Sequence, residues 1–173
     1  ISWVLVSRAM LRRLGFGGVR WAASGAAPID PEVLEFFIGL GVPVYELYGM
    51  TENAAVATCN FPGRLKLGTV GEPYPDIGFR LDEETGEIQT KHEGNFAGYW
   101  GKPEQTKETF TDDGWLKTGD VGVWVDGTHV KIVDRIKHII ITAGGKNISP
   151  SEIENDLKTS PYIKEAVRIG DRR

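Results

Sequence analysis

The sequence holds a single cysteine, Cys59. One thiol can build neither a disulfide framework nor a cysteine-based metal site, and its isolation fits a reducing compartment, so a cytoplasmic protein is expected. The three histidines, His92, His129 and His138, lie far apart and lack the i, i+4 spacing that grips a metal from one helix. A metal held mainly by protein ligands is therefore not expected. No apolar run reaches the roughly 18 residues that a membrane-spanning helix needs. No charged segment followed by an apolar core opens the chain, so no signal peptide is read. Lys/Arg-rich runs are missing too, and the net charge is -4, which argues against a nucleic-acid partner. Internal repeats and low-complexity tracts are absent.

What is present is a globular composition, 40% hydrophobic and 25% charged, over 173 residues. That length accommodates one ordinary domain, or one domain and part of another. The chain starts on Ile1 and stops on "AVRIGDRR", so both ends read as cut and a fragment is expected.

Periodicity and punctuation divide the chain. "VLVSRAMLRRLGF" has helical spacing and Gly15 closes it. "VRWAASG" reads as a short strand. "APIDPEVLEFFIGLG" reads as a helix with Asp30 as N-cap, Pro31 at the first helical position, an apolar face of Val33, Leu34, Phe37 and Leu40, and Gly41 as its stop. "VPVYELY" is a second strand. A strand, a helix and a strand joined by short loops form a βαβ unit with parallel strands. Ligands in such sheets sit beyond the carboxyl ends of the strands, which here are "SGAAP" (24–28) and "YGMTEN" (48–53).

From residue 63 the chain becomes rich in glycine and turn pairs. Asp126-Gly127 between "VGVWV" and "THVKIV" marks a hairpin, and Pro103 opens a short helix. After "DRIK" come a strand "HIIIT", a loop "AGGKN", a helix "SPSEIENDLKTS" with a capping box from Ser149 to Glu152, and a last strand "IKEAVRIG". The expected fold class is α/β: a βαβ part of a mostly parallel sheet, a β-rich, distorted barrel-like region, and the start of a small α+β domain. The boundaries fall at 1–60, 61–136 and 137–173.

Four stretches stand in one order: "SGAAP", "YGMTE", "LKTGD" (116–120) and "DRIKHIIITAGGKNISPSEIE" (134–154). Each is weak alone. Together, with "LGTVGEPYP" and "GEIQTKHEGNFAGYWGKPEQTKETF", they resemble the adenylate-forming enzymes over nearly the whole chain. Within that family "ELYGMTEN", "DRIK" and "IITAGGKNISPSEIE" look most like the long-chain fatty acyl-CoA synthetases. The resemblance implies an enzyme that uses ATP and Mg²⁺ to join a fatty acid to AMP, and then passes the acyl group to coenzyme A.

The resemblance also implies roles. Glu52 would ligate Mg²⁺ and Thr51 would donate to a phosphate oxygen, the two carrying the catalytic step. A lone carboxylate suits Mg²⁺, which keeps waters and nucleotide oxygens as its other ligands. Tyr48 would stack on adenine, Gly49 would let the backbone approach closely, and Glu46 would accept from the adenine amine. The small residues Gly25, Ala26 and Ala27 would form the opposite wall. Asp120 would take both ribose hydroxyls, supported by Arg135. Lys137 would mark the hinge of a C-terminal lid, and Gly144 and Gly145 would line the channel for the pantetheine arm.

Taken singly, these residues have plainer readings. Tyr48 is a packing residue, Glu52 a solvated loop charge, Asp120 a turn cap, and Arg135 and Lys137 surface cations. Trp100, Trp115 and Trp124 read as packing residues, and Cys59 as inert. Two parts of the family pattern are not in the sequence. They are the Gly/Ser/Thr-rich phosphate loop, expected upstream of Ile1, and a catalytic lysine, expected beyond Arg173. The isolated chain is thus expected to be inactive. Other readings are an aryl or medium-chain acid ligase, and a non-catalytic nucleotide-binding module. A lipid-like substrate is compatible with contact at a membrane surface, although no amphipathic anchor is visible.

Overall fold

The computed structural model describes residues 2–141, 147–158, 160 and 162–167. Helix α1 (Ser2–Arg13) leads into strand β1 (Ala22–Ser24), helix α2 (Pro31–Gly39) and strand β2 (Val44–Tyr48). The Asp30 carboxylate accepts from the Glu32 amide at 2.9 Å, so the N-cap forms where the sequence places it. β1 and β2 pair in parallel, Ala22 opposite Val44 through Ser24 opposite Glu46. The βαβ expectation therefore holds.

The apolar face of α2 needs correction. Leu34 is buried and Phe37 and Leu40 are half-buried, but Val33 is 41% exposed. A nine-residue helix buries a narrow stripe, and Val33 sits about 100° around the axis from Leu34. Phe37 instead meets Phe16 beyond α1, with ring centroids 5.4 Å apart.

After β2 the chain makes a 3₁₀ turn (Thr51–Asn53) and returns as β3 (Thr58–Cys59) and β4 (Glu72–Pro73), both antiparallel. The first sheet thus runs β1-β2-β3-β4, its parallel pair extended by antiparallel strands. The second sheet, β5 (Gly78–Leu81), β6 (Glu87–Lys91), β7 (Leu116–Val125) and β8 (His129–Arg135), is antiparallel throughout. Helix α3 (Pro103–Thr109) interrupts it. Asp126 and Gly127 take left-handed φ values of 51° and 70°, the conformations a hairpin turn demands of such a pair.

Two backbone bonds stitch the sheets together: Val70 N–H to the Val130 carbonyl, and Val130 N–H to the Gly71 carbonyl. The core draws on both sheets, with Tyr48, Ala57, Ile88 and Val130 buried and Val70, Phe79, Leu81 and Ile132 packed against them. His129 is a satisfied core histidine, its Nε2 2.7 Å from the Arg64 carbonyl oxygen. Among the described residues, no helix is long and apolar enough to cross a membrane.

Beyond β8, β9 (Ile140–Ile141) pairs antiparallel with β10 (Asn147–Ile148), and α4 (Pro150–Lys158) follows. The start of α4 is held by a partner the sequence reading missed. The buried Asp134 carboxylate accepts from the Ser151 amide, the Ser151 hydroxyl and the Ser149 hydroxyl. Burial opposes ionisation of Asp134, but these donors together with the Arg135 amide outweigh it and hold the carboxyl below its ordinary range. Residues 163–167 of the expected last strand are not in a strand, because no described ladder receives them. Trp100 also departs from its packing reading. It lies on a turn between Gly98 and Gly101 and is 100% exposed.

Candidate active site

The parallel strands β1 and β2 end side by side, so the loops after Ser24 and Tyr48 emerge together. Gly25 sits on the end of β2, where a Cβ would lie 2.7 Å from the Leu47 side chain and 3.1 Å from its carbonyl oxygen. Ala26 and Ala27 are exposed, Ala26 with a left-handed φ of 69°. Glu46 lies on β2, directly opposite Ser24 at the end of β1. It is buried, and burial raises its carboxyl to about 7, with the Ile29 amide pulling the other way.

A raised carboxyl has a stability consequence. The protein is stabilised while Glu46 is protonated, fully so below its ordinary value of 4.5. That stability is lost as pH rises through about 7. The loss is on the order of 3 kcal/mol at full ionisation. Between pH 5 and pH 8.5 the wild-type chain is expected to lose about 5 °C or more of melting temperature relative to E46Q. Parallel pH dependence of the two melting curves would contradict it.

Tyr48 is a core residue, 8% exposed, so packing is part of its role. Its hydroxyl donates to Asp120 Oδ2 at 2.7 Å. Burial, then the Asp120 charge, push the phenol far above its ordinary range, so it remains a donor. Arg135 Nε lies 2.9 Å from Asp120 Oδ1 and forms an ion pair with it. The β7–β8 register sets Asp120 directly opposite Arg135. The "TGD" stretch of β7 is itself fixed. The Thr118 hydroxyl donates to the Ile88 carbonyl, and the Gly119 amide to Glu87. Tyr48, Asp120 and Arg135 thus form one row, linked by a hydrogen bond and an ion pair. Each Asp120 oxygen keeps further acceptor capacity for a hydroxyl pair.

The loop after Tyr48 is tightly built. Asn53 Oδ1 accepts from the Met50 amide at 2.8 Å, a buried clasp the sequence reading missed. Gly49 also has a cause within the fold. A Cβ there would lie 2.3 Å from the Ala55 carbonyl carbon, so glycine lets the loop fold back on its own backbone. Thr51 is exposed and, among the described residues, its hydroxyl has no partner. Glu52 is half-buried, and its Oε1 accepts from the Tyr99 hydroxyl at 2.7 Å. Lys137 is exposed in the turn after β8. Gly144 and Gly145 lie outside the described residues.

Among the described residues, no three His, Cys, Asp or Glu side chains converge to cage a metal. A lone carboxylate beside a hydroxyl fits Mg²⁺ that arrives with a nucleotide and keeps phosphate and water oxygens as its other ligands.

Residues 5–100 match the family described as AMP-binding enzyme. This chain belongs to that family. It is 40% identical over 169 residues to the long-chain-fatty-acid–CoA ligase FadD15 of Mycobacterium bovis, covering 98% of this chain and 28% of the relative. It is 41% identical over 166 residues to human long-chain-fatty-acid–CoA ligase 6, covering 90% of this chain and 24% of the relative. The o-succinylbenzoate coenzyme A synthetase MenE of Bacillus subtilis, solved with ATP and magnesium, superposes with a TM-score of 0.76 at 30% identity. That match covers 84% of this chain and 32% of MenE. The chain therefore spans under a third of the length of these relatives.

Proposed function

We propose that the protein to which this chain belongs activates a long-chain fatty acid with ATP and transfers it to coenzyme A. The observation that carries this reading is the Tyr48–Asp120–Arg135 row, set beside the Thr51–Glu52 turn at the ends of two parallel strands. Two of the relatives are named as long-chain fatty acid ligases, which favours that substrate class.

In the first step a carboxylate oxygen bonds to the α-phosphorus while the bond to pyrophosphate breaks. In the second a thiolate sulfur bonds to the acyl carbon and AMP leaves. Magnesium, when bound, neutralises charge on the phosphate oxygens. Asp120 holds the ribose hydroxyls, and Arg135 keeps that carboxylate oriented. Thr51 would donate to a phosphate oxygen, and Glu52 would supply its other carboxylate oxygen to the metal. Glu46, Tyr48 and the 25–27 loop frame the base. Lys137 separates residues 1–136, the end of the large nucleotide-binding domain, from the start of a lid at 137–173. Swinging of that lid between the two half-reactions would open the way for the pantetheine arm past Gly144 and Gly145.

The MenE likeness favours a second reading, an aryl acid substrate. Acid-dependent pyrophosphate release by the full-length protein separates the two. Palmitate is expected to support at least tenfold more release than octanoate or benzoate. Preference for benzoate would replace the fatty acid reading with the aryl one. The 173-residue chain alone is expected to show no acid-dependent pyrophosphate exchange.

A further inference from the structure

Tyr99 lies 47 residues from Glu52 in sequence, on a turn that no role above uses. Its phenol donates to Glu52 Oε1 at 2.7 Å. Among the described residues, Oε2 of the same carboxylate has no hydrogen-bond partner. One oxygen is thus occupied by a neutral donor and the other is left for a ligand.

The phenol is itself held. The Tyr99 amide donates to Thr106 Oγ1 at 2.9 Å, and the Thr106 hydroxyl donates to the Lys102 carbonyl at 2.9 Å. The Lys102 amide closes the loop on the Tyr99 carbonyl at 3.1 Å. The Tyr99 ring meets Phe96 edge-on at 4.8 Å, and Phe96 stacks on Phe110 at 5.7 Å. The Phe96 amide also donates to the Glu52 carbonyl at 2.8 Å. The 96–99 segment therefore grips Glu52 twice, once by its backbone and once by its carboxylate.

A glutamate has three rotatable side-chain bonds, and fixing them opposes metal binding unless the fold has already fixed them. Partners that orient a metal-binding carboxylate are worth about 10- to 100-fold in metal affinity. We infer that Tyr99 is a positioning residue for Glu52, presenting its free oxygen to the divalent cation that accompanies the nucleotide. The inference rests on the reading of Glu52 as a magnesium ligand.

A tie that merely fastens the 92–110 segment to the 3₁₀ turn would affect stability and leave metal affinity alone. The test therefore reads metal affinity directly. Mn²⁺ binding to the full-length protein in the presence of saturating ATP is followed by electron paramagnetic resonance, for wild type, Y99F, E52Q and the double variant. Y99F is expected to weaken Mn²⁺ about 10-fold while metal-free ATP binding changes less than twofold. E52Q is expected to weaken it at least as much, and the double variant to match E52Q, because the phenol acts only through that carboxylate. Wild-type affinity in E52Q overturns the metal role of Glu52 itself. Weakened binding in E52Q with wild-type affinity in Y99F overturns the inference and leaves the Glu52 role standing. Multiplicative loss in the double variant also overturns it. Should Y99F fail to fold, T106V loosens the Tyr99 backbone and leaves the phenol intact. A two- to fivefold weakening there supports the inference, and wild-type affinity overturns it.

Discussion

Alanine at position 71 is expected to destabilise the chain by more than about 4 kcal/mol and to abolish its cooperative unfolding transition. Gly71 has a φ of +86°, and a Cβ there would lie 2.0 Å from the Cys59 carbonyl carbon and 2.1 Å from the Asn60 nitrogen. Those atoms belong to backbone, so no side-chain rotation relieves the clash. The same residue carries the stitch to Val130 that joins the two sheets. Gly63 provides the control. Its φ is also positive, at +78°, but open space surrounds the position of a Cβ. Alanine there is expected to cost only about 1–2 kcal/mol of backbone strain. Urea unfolding of both variants, followed by tryptophan fluorescence, separates steric exclusion from strain. Equal losses in the two variants would contradict the steric account.

Removing the carboxylate of Asp120 is the second large effect. In the full-length protein, D120A is expected to raise the apparent ATP constant about 30- to 100-fold, a loss on the order of 2–3 kcal/mol. In the proposed role of Asp120, charge-assisted bonds to two ribose hydroxyls would account for part of it. The rest comes from partners left behind. The buried Tyr48 hydroxyl loses its acceptor and Arg135 loses its carboxylate, and a buried donor without an acceptor is costly. A nucleotide lacking the 2′-hydroxyl distinguishes these contributions. Wild type is expected to bind 2′-deoxy-ATP more weakly than ATP, whereas D120A treats the two alike. A wild-type preference for ATP retained in D120A would remove Asp120 from the ribose.

Much of this arrangement was legible in the sequence wherever the signal was local. Asp30-Pro31 announced α2, the small residues and glycines marked the strand ends, and Asp126-Gly127 announced the hairpin that sets Asp120 opposite Arg135. Contacts across long stretches of chain were not legible. The Tyr48–Asp120 bond spans 72 residues, and the Tyr99–Glu52 bond joins a glycine-rich turn to a 3₁₀ turn. No periodicity encodes either. Asp134 reads in sequence as the head of "DRIK", and its capping of α4 emerges only once β8 and that helix are packed together. Gly49 and Trp100 show the opposite limit. The residue type of Gly49 did not announce that it admits the Ala55 backbone, and Trp100, read as a packing residue, stands in solvent.

The Thr51–Glu52 turn and Asp120 are proposed to belong to one site that serves acid activation. Fatty acid-dependent exchange of labelled pyrophosphate into ATP, measured in the full-length protein and its E52A variant, tests it most directly. Wild type is expected to exchange only when fatty acid is present, and E52A to lose at least 100-fold of that rate while remaining folded. Exchange in E52A at the wild-type rate, or none in wild type with any acid, would contradict the claim.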